Sequence, residues 1–152
     1  MERELATTNH QTASRPVILT TRSGPLDIVI PYKTHKLTQA ALECAISLGQ
    51  GLDIRFRLIH VHVVPYALPL DRPDVCPDHL KDSLRRIAKK CTAPISPELV
   101  FARDWETGFR RTLRPHSVVL IPIRKGWWRS HDKRMAERIR RHGHQVIWME
   151  YE

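Results

Sequence analysis

The stretch from Leu26 to Gly51, LDIVIPYKTHKLTQAALECAISLGQG, changes its hydrophobic period halfway along, and that change decides the fold. Leu26 to Tyr32 is a short apolar run bounded by Ser23-Gly24-Pro25 on one side and a polar cluster on the other, the pattern of a buried strand. Leu37, Ala40, Ala41, Cys44, Ala45 and Leu48 then recur at i, i+3, i+4, i+7, i+8 and i+11, one stripe along a helix. Gly49-Gln50-Gly51 supplies the stop.

Working outward, the same alternation repeats. Ile54 to Val64, IRFRLIHVHVV, reads as a strand covered on both faces, and Pro65 to Pro77, with four prolines, reads as a loop. Leu80, Leu84, Ile87, Ala88 and Cys91 give a second helical stripe, with Asp78 as its cap or first-turn acid. Beyond Pro94 and Pro97 a third strand is expected over Glu98 to Ala102. Asp104 then caps a short helix whose Trp105, Phe109, Thr112 and Leu113 share a face, and Pro115 ends it. Ser117 to Ile123 is a fourth buried strand, Met135, Ala136 and Ile139 mark a fourth helix, and Gln145 to Met149 is a last strand. The order β-α-β-α-β-α-β-α-β predicts a doubly wound parallel α/β sheet with helices on both faces. Residues 1–15 are expected to be a flexible tail and residues 16–152 a single domain; Pro16 to Thr21, PVILTT, is left over as an added edge strand or a docked arm.

At 152 residues, 41% hydrophobic and 27% charged, the chain is long and apolar enough to bury a core of its own without a metal or disulfide. Its cysteines, Cys44, Cys76 and Cys91, are odd in number and form no C-x-x-C, so reduced thiols and a cytoplasmic setting are expected. No signal-peptide-like or membrane-spanning apolar run occurs. The net charge of +9 is concentrated: between Arg124 and Arg141 there are eight Arg or Lys against two acids. Such a face is either simply solvated or attracts polyanions.

Several segments, in this order, resemble the universal stress protein (UspA-like) family over roughly Leu26 to Glu150. Ile28-Val29-Ile30-Pro31 resembles that family's first strand, LIHVHVVP (Leu58 to Pro65) its second, AERIRRH (Ala136 to His142) its last helix, and Gln145-Val146-Ile147-Trp148 its last strand. The resemblance implies a Rossmann-like sheet in the order 3-2-1-4-5, frequent dimers through the last strand and, in one branch, an ATP site at the carboxyl ends of strands one and four. That branch carries an aspartate two residues after the strand-one proline; here Lys33 stands there, after Pro31 and Tyr32. It also carries Gly-x-x-Gly, nine residues, then Gly-Ser or Gly-Thr. Here the first glycine position falls on Pro122, the second near Lys125 or Gly126, and the last pair on Lys133-Arg134. Proline offers no N–H to a phosphate, and Lys and Arg fill the room that glycines leave. Ordinary ATP binding is therefore not expected, although an adenine nucleotide stays open as an alternative with Val63 lining its base pocket.

The loop IRKGWWRSHDKR (Ile123 to Arg134) has two readings. Either Trp127 and Trp128 plug the vacated cleft, or they line it while Lys33, Lys125, Lys133 and Arg134 hold a small anionic ligand. The plug is the expectation adopted here.

His60 and His62 lie on one face of a strand but have no visible third ligand, so no metal is expected. Ser130-His131-Asp132 cannot form a triad from adjacent residues, and Ser130 or Asp132 is expected to cap the last helix instead, with His142 capping its carboxyl end. No nucleophile elbow, Walker A or H-E-x-x-H occurs, and no enzymatic activity is expected. The apolar strand carrying Val146, Ile147, Trp148 and Met149 calls for an edge partner, a second copy being the symmetric solution unless Pro16 to Thr21 covers it. The expectation is a regulatory or binding module. Docking on a transporter or an anionic membrane, and nucleic-acid binding through residues 124–141, are the alternatives.

Overall fold

The computed structural model describes residues 24–124 and 130–151, with the backbone alone for Ser130 and His131. The tail 1–15, the Pro16 to Thr21 segment and Lys125, Gly126, Trp127 and Trp128 lie outside the described residues. The elements are β1 (Leu26–Pro31), α1 (His35–Leu48), β2 (Ile54–Val63), α2 (Pro77–Lys89), β3 (Ile95–Ala102), α3 (Trp105–Thr112), β4 (Val118–Arg124), α4 (Ser130–Arg141) and β5 (Gln145–Tyr151). They form one all-parallel five-stranded sheet in the order β3-β2-β1-β4-β5.

Because successive strand residues face opposite ways, each strand feeds two cores. Ile28, Ile30, Leu58 and Leu120 pack with Ala41, Leu42 and Ala45 of α1 and Leu84 and Ile87 of α2. Val29, Ile59, Val61 and Ile121 pack on the other face with Phe109 of α3 and Met135 and Ile139 of α4. The buried side of α1 is Thr38, Ala41, Leu42 and Ala45, one position round from the stripe the spacing suggests. Leu42 completes the apolar arc, while Leu48 falls beyond the sheet edge and is 66% exposed.

Asp104 and His142 cap as the sequence predicts, Thr34 adds a cap to α1, and α4 opens at Ser130, so Asp132 is a first-turn acid and not its cap. Thr34 accepts from the Leu37 N–H at 3.3 Å, Asp104 from the Thr107 N–H at 2.8 Å, and His142 Nδ1 donates to the Arg138 carbonyl at 2.6 Å. Asp78 is a first-turn acid, not the cap, which is Cys76. Strand β3 begins at Ile95, three residues before the predicted start, and so contains Pro97. It is an edge strand paired only with β2 among the described residues, so a missing N–H on its outer side breaks no ladder bond.

Gly108 lets α3 lie close on the sheet. A Cβ there would stand 2.7 Å from Ala102 Cβ and 2.8 Å from Val61 Cγ1, closer than side chains tolerate. The close seat brings the first turn of α3, with Trp105, to the carboxyl ends of the strands.

Candidate functional site

The sheet order reverses between β1 and β4, and these strands are in register only at Ile28↔Val118 and Val29↔Val119. Beyond that point β1 follows β2 as far as Pro31↔Ile59, whereas β4 follows β5 as far as Arg124↔Tyr151. The diverging ends open the crevice in which sheets of this winding receive ligands. Pro31 and Pro122 both lie at the parting and are buried strand residues. Pro122 pairs with Met149 inside β4 and has no registered β1 partner, so its missing N–H costs the sheet nothing there. Pro122 is thus part of the core and not of a turn.

Lys33 leaves β1 directly into this crevice. Its N–H donates to Thr38 Oγ1 at 3.1 Å, which fixes the turn into α1. Its Nζ lies 3.6 Å from a carboxylate oxygen of Asp132, in the first turn of α4, and 5.4 Å from the ring centroid of Trp105. Trp105 is itself stacked on Phe109 at 4.8 Å. Three elements therefore meet across the switch point through one ammonium, one carboxylate and one indole. The lysine and aspartate side chains are 30% and 19% exposed, so water screens the pair. Its worth is about 1 kcal/mol or less, enough to set a geometry but too little to lock it.

Neither Trp105 nor Asp132 was singled out for this place by the sequence, which marks Trp105 as a helix-face residue and Asp132 as a cap. The available signal was position: Trp105 follows the N-cap at the carboxyl end of β3, and parallel strands deliver all such positions to one edge. Whether Trp127 and Trp128 fill or line the crevice falls outside the described residues, but a third tryptophan stands there already.

The other expected site residues scatter. Tyr32 stacks on His60 at 4.7 Å, on the α1–α2 side of the sheet. Burial, then the neighbouring His62, lowers the His60 pKa and favours the neutral ring. His62 meets Asp74 at 2.9 Å, and that hydrogen bond holds Asp74 below the usual carboxylate range. No group of three metal-ligating side chains occurs among the described residues. Val63 is 44% exposed and Val64 is the buried residue, so the valine at 63 is rim and not core. Lys133 and Arg134 are exposed on α4, away from its buried Met135, Ala136 and Ile139. The helix starts at Ser130, so these two lie inside its body and not at its opening N–H groups.

On β5, Val146 and Trp148 turn to the α4 core and Met149 to the α1 core, leaving Ile147 43% exposed. β5 pairs only with β4 among the described residues. No helix among those residues is long and apolar enough to cross a membrane.

No family model matches the chain, and no curated protein matches it. Among solved structures, it is similar to the crystal structure of a protein from the universal stress protein family from Burkholderia pseudomallei, with a TM-score of 0.51 and 20% identity, over 81% of this chain and 94% of that one. At that identity the likeness speaks for architecture, and together with the strand order it shows that this chain has the universal stress protein fold.

Proposed function

We propose that the chain is a non-catalytic regulatory or binding module of the universal stress protein type that does not hold ATP in the manner of the family's nucleotide-binding branch. The observation that carries this reading is the Lys33 ammonium held between Asp132 and Trp105 at the switch point. A cation stands where a ribose-binding carboxylate would be needed, and its counter-charge comes from the helix turn that would otherwise face phosphate. Pro122 adds a position with no N–H to offer.

Titration calorimetry with ATP and magnesium is expected to show no binding tighter than about 1 mM. Lys33→Ala is expected to leave that result unchanged, because removing the cation restores neither a carboxylate nor a glycine loop. Micromolar affinity in the parent chain would overturn the reading. Micromolar affinity that disappears in Lys33→Ala would favour the alternative in which basic side chains replace the glycine loop.

We also infer a two-fold dimer through β5. Its outer edge, unpaired among the described residues, and the exposed Ile147 support this, since an apolar edge strand invites pairing. Sedimentation equilibrium should return twice the 17.7 kDa chain mass, and Ile147→Lys should shift the molecule toward the monomer. A parent chain that sediments as a monomer would remove the dimer.

A further inference from the structure

We propose that the end of the molecule where α3 and α4 finish binds the phosphodiester backbone of a nucleic-acid duplex. The two helices run side by side and are tied at two levels. Arg138 pairs with Glu106, and one turn further on Arg110 Nη1 meets His142 Nε2 at 2.8 Å. Their last turns and the loops that follow therefore form one surface, which the bond from the Gln145 N–H to the Ser117 carbonyl closes at 3.1 Å.

The composition of that surface is one-sided. Residues 107–117 and 138–145 contain six arginines, three histidines and no Asp, Glu or Lys. Arg138 is neutralised by Glu106, whereas Arg111, Arg114, Arg140 and Arg141 are exposed and take part in no ion pair among the described residues. Asp27, beside Ser117, is buried and already bonded to Arg57, which leaves Glu137 on α4 as the one exposed acid bordering the surface. Each helix carboxyl end contributes roughly half a negative charge, which explains one arginine per helix but not this number. The excess cations repel one another and cost stability unless an anion joins them.

The anion's class follows from what the surface lacks. The only Phe, Tyr or Trp in the two segments is Phe109, fully buried, so no large aromatic face is offered to a run of unpaired bases, and the His142 ring is held by Arg110 and the Arg138 carbonyl. The exposed large apolar residues, Leu48, Leu52, Val63, Tyr66, Leu70 and Ile147, all lie elsewhere, so nothing here would insert among lipid chains. A set of guanidinium forks on a fixed backbone surface, without a Phe, Tyr or Trp platform or an apolar wedge, suits phosphates presented in regular rows, independent of sequence.

The test is fluorescence anisotropy with a labelled mixed-sequence duplex two helical turns long, DNA and RNA in separate arms, across a salt series. Four to five phosphate contacts give a log–log salt slope of about −4, so affinity should fall by roughly two orders of magnitude between about 50 and 200 mM salt. Arg111→Glu, Arg114→Glu, Arg140→Glu and Arg141→Glu combined should weaken binding at least a hundredfold. The same four positions changed to Gln should weaken it less and flatten the slope. Lys81→Glu, Arg85→Glu, Arg86→Glu and Lys89→Glu on α2 change net charge equally and should leave most of the binding. Three results would overturn the proposal: no duplex binding at low salt, equal loss in both charge-reversed chains, or tighter binding to phosphatidylserine vesicles than to duplex. None of them bears on the crevice between β1 and β4, which lies at the opposite, carboxyl end of the strands, so this inference and the functional reading fail independently.

Discussion

Replacing Arg57 with alanine is expected to remove about 3–5 kcal/mol of unfolding free energy, close to the whole stability of a marginal domain. Arg57 is 4% exposed on the sheet face beneath α3 and α4. It donates from Nη1 to Asp27 at 3.0 Å and from Nε and Nη2 to Glu98 at 3.2 and 2.6 Å. Burial alone would lower its pKa, but the hydrogen bonds it donates to Glu98 and Asp27 outweigh it and hold the guanidinium above its ordinary value. The cost of removal lies mainly with Asp27. That carboxylate is 8% exposed, its Oδ1 already lacks a partner, and it would keep only Ser117 Oγ at 3.5 Å. A buried charge without a counter-ion is far dearer than the pair was worth. Glu98, with a side chain 36% exposed, can turn to water, so Glu98→Ala should cost only about 1 kcal/mol. Urea unfolding at neutral pH measures both. A loss under about 1 kcal/mol for Arg57→Ala would mean that water reaches Asp27 freely.

Phe109→Ala is expected to cost about 3–5 kcal/mol, again by urea unfolding. Phe109 is fully buried and joins Ile59, Val61, Ile121 and Met135 in the core on its side of the sheet. Its helix has eight residues, too few to persist without tertiary contacts, so the ring holds α3 in place as well as filling volume. It also carries Trp105 on its face. The substitution should therefore speed hydrogen exchange at the α3 amides more than at β1 or β2. Uniform exchange, or a loss below about 1.5 kcal/mol, would show that α3 is seated by something else.

Most of the architecture was legible because its carriers are local. Each strand is an apolar run, each helix is a stripe, and the punctuation is Gly, Pro, Asp and Thr at the ends. What the spacing left open turned on relations between elements. Pro97 suggested a boundary, but a proline on the outer side of an edge strand disturbs nothing, so β3 runs through it. Val63 and Val64 have the same chemistry, and only the end of the β2–β3 ladder decides which of them is covered. At the crevice, Lys33 was visible as a basic residue just past the end of β1. That Asp132 answers it from about a hundred residues downstream, with Trp105 beneath, depends on distances between chain ends that spacing within one segment does not encode. Lys133 and Arg134 likewise count as neighbours of a phosphate only if the helix begins beside them, and it begins at Ser130.

The opening between β1 and β4 belongs to the path of the backbone. It arises because the chain returns across the sheet after β3 and lays β4 beside β1, so that successive crossovers lead the two strand ends away from each other. No side chain makes that gap, and no side chain can abolish it without changing the path of the backbone. Residues 33, 105 and 132 act as furnishings of a space fixed by topology. A vacancy of this kind can change occupants through a handful of rim substitutions while both cores stay intact, so sequence drift there is cheap and its chemical outcome is wide.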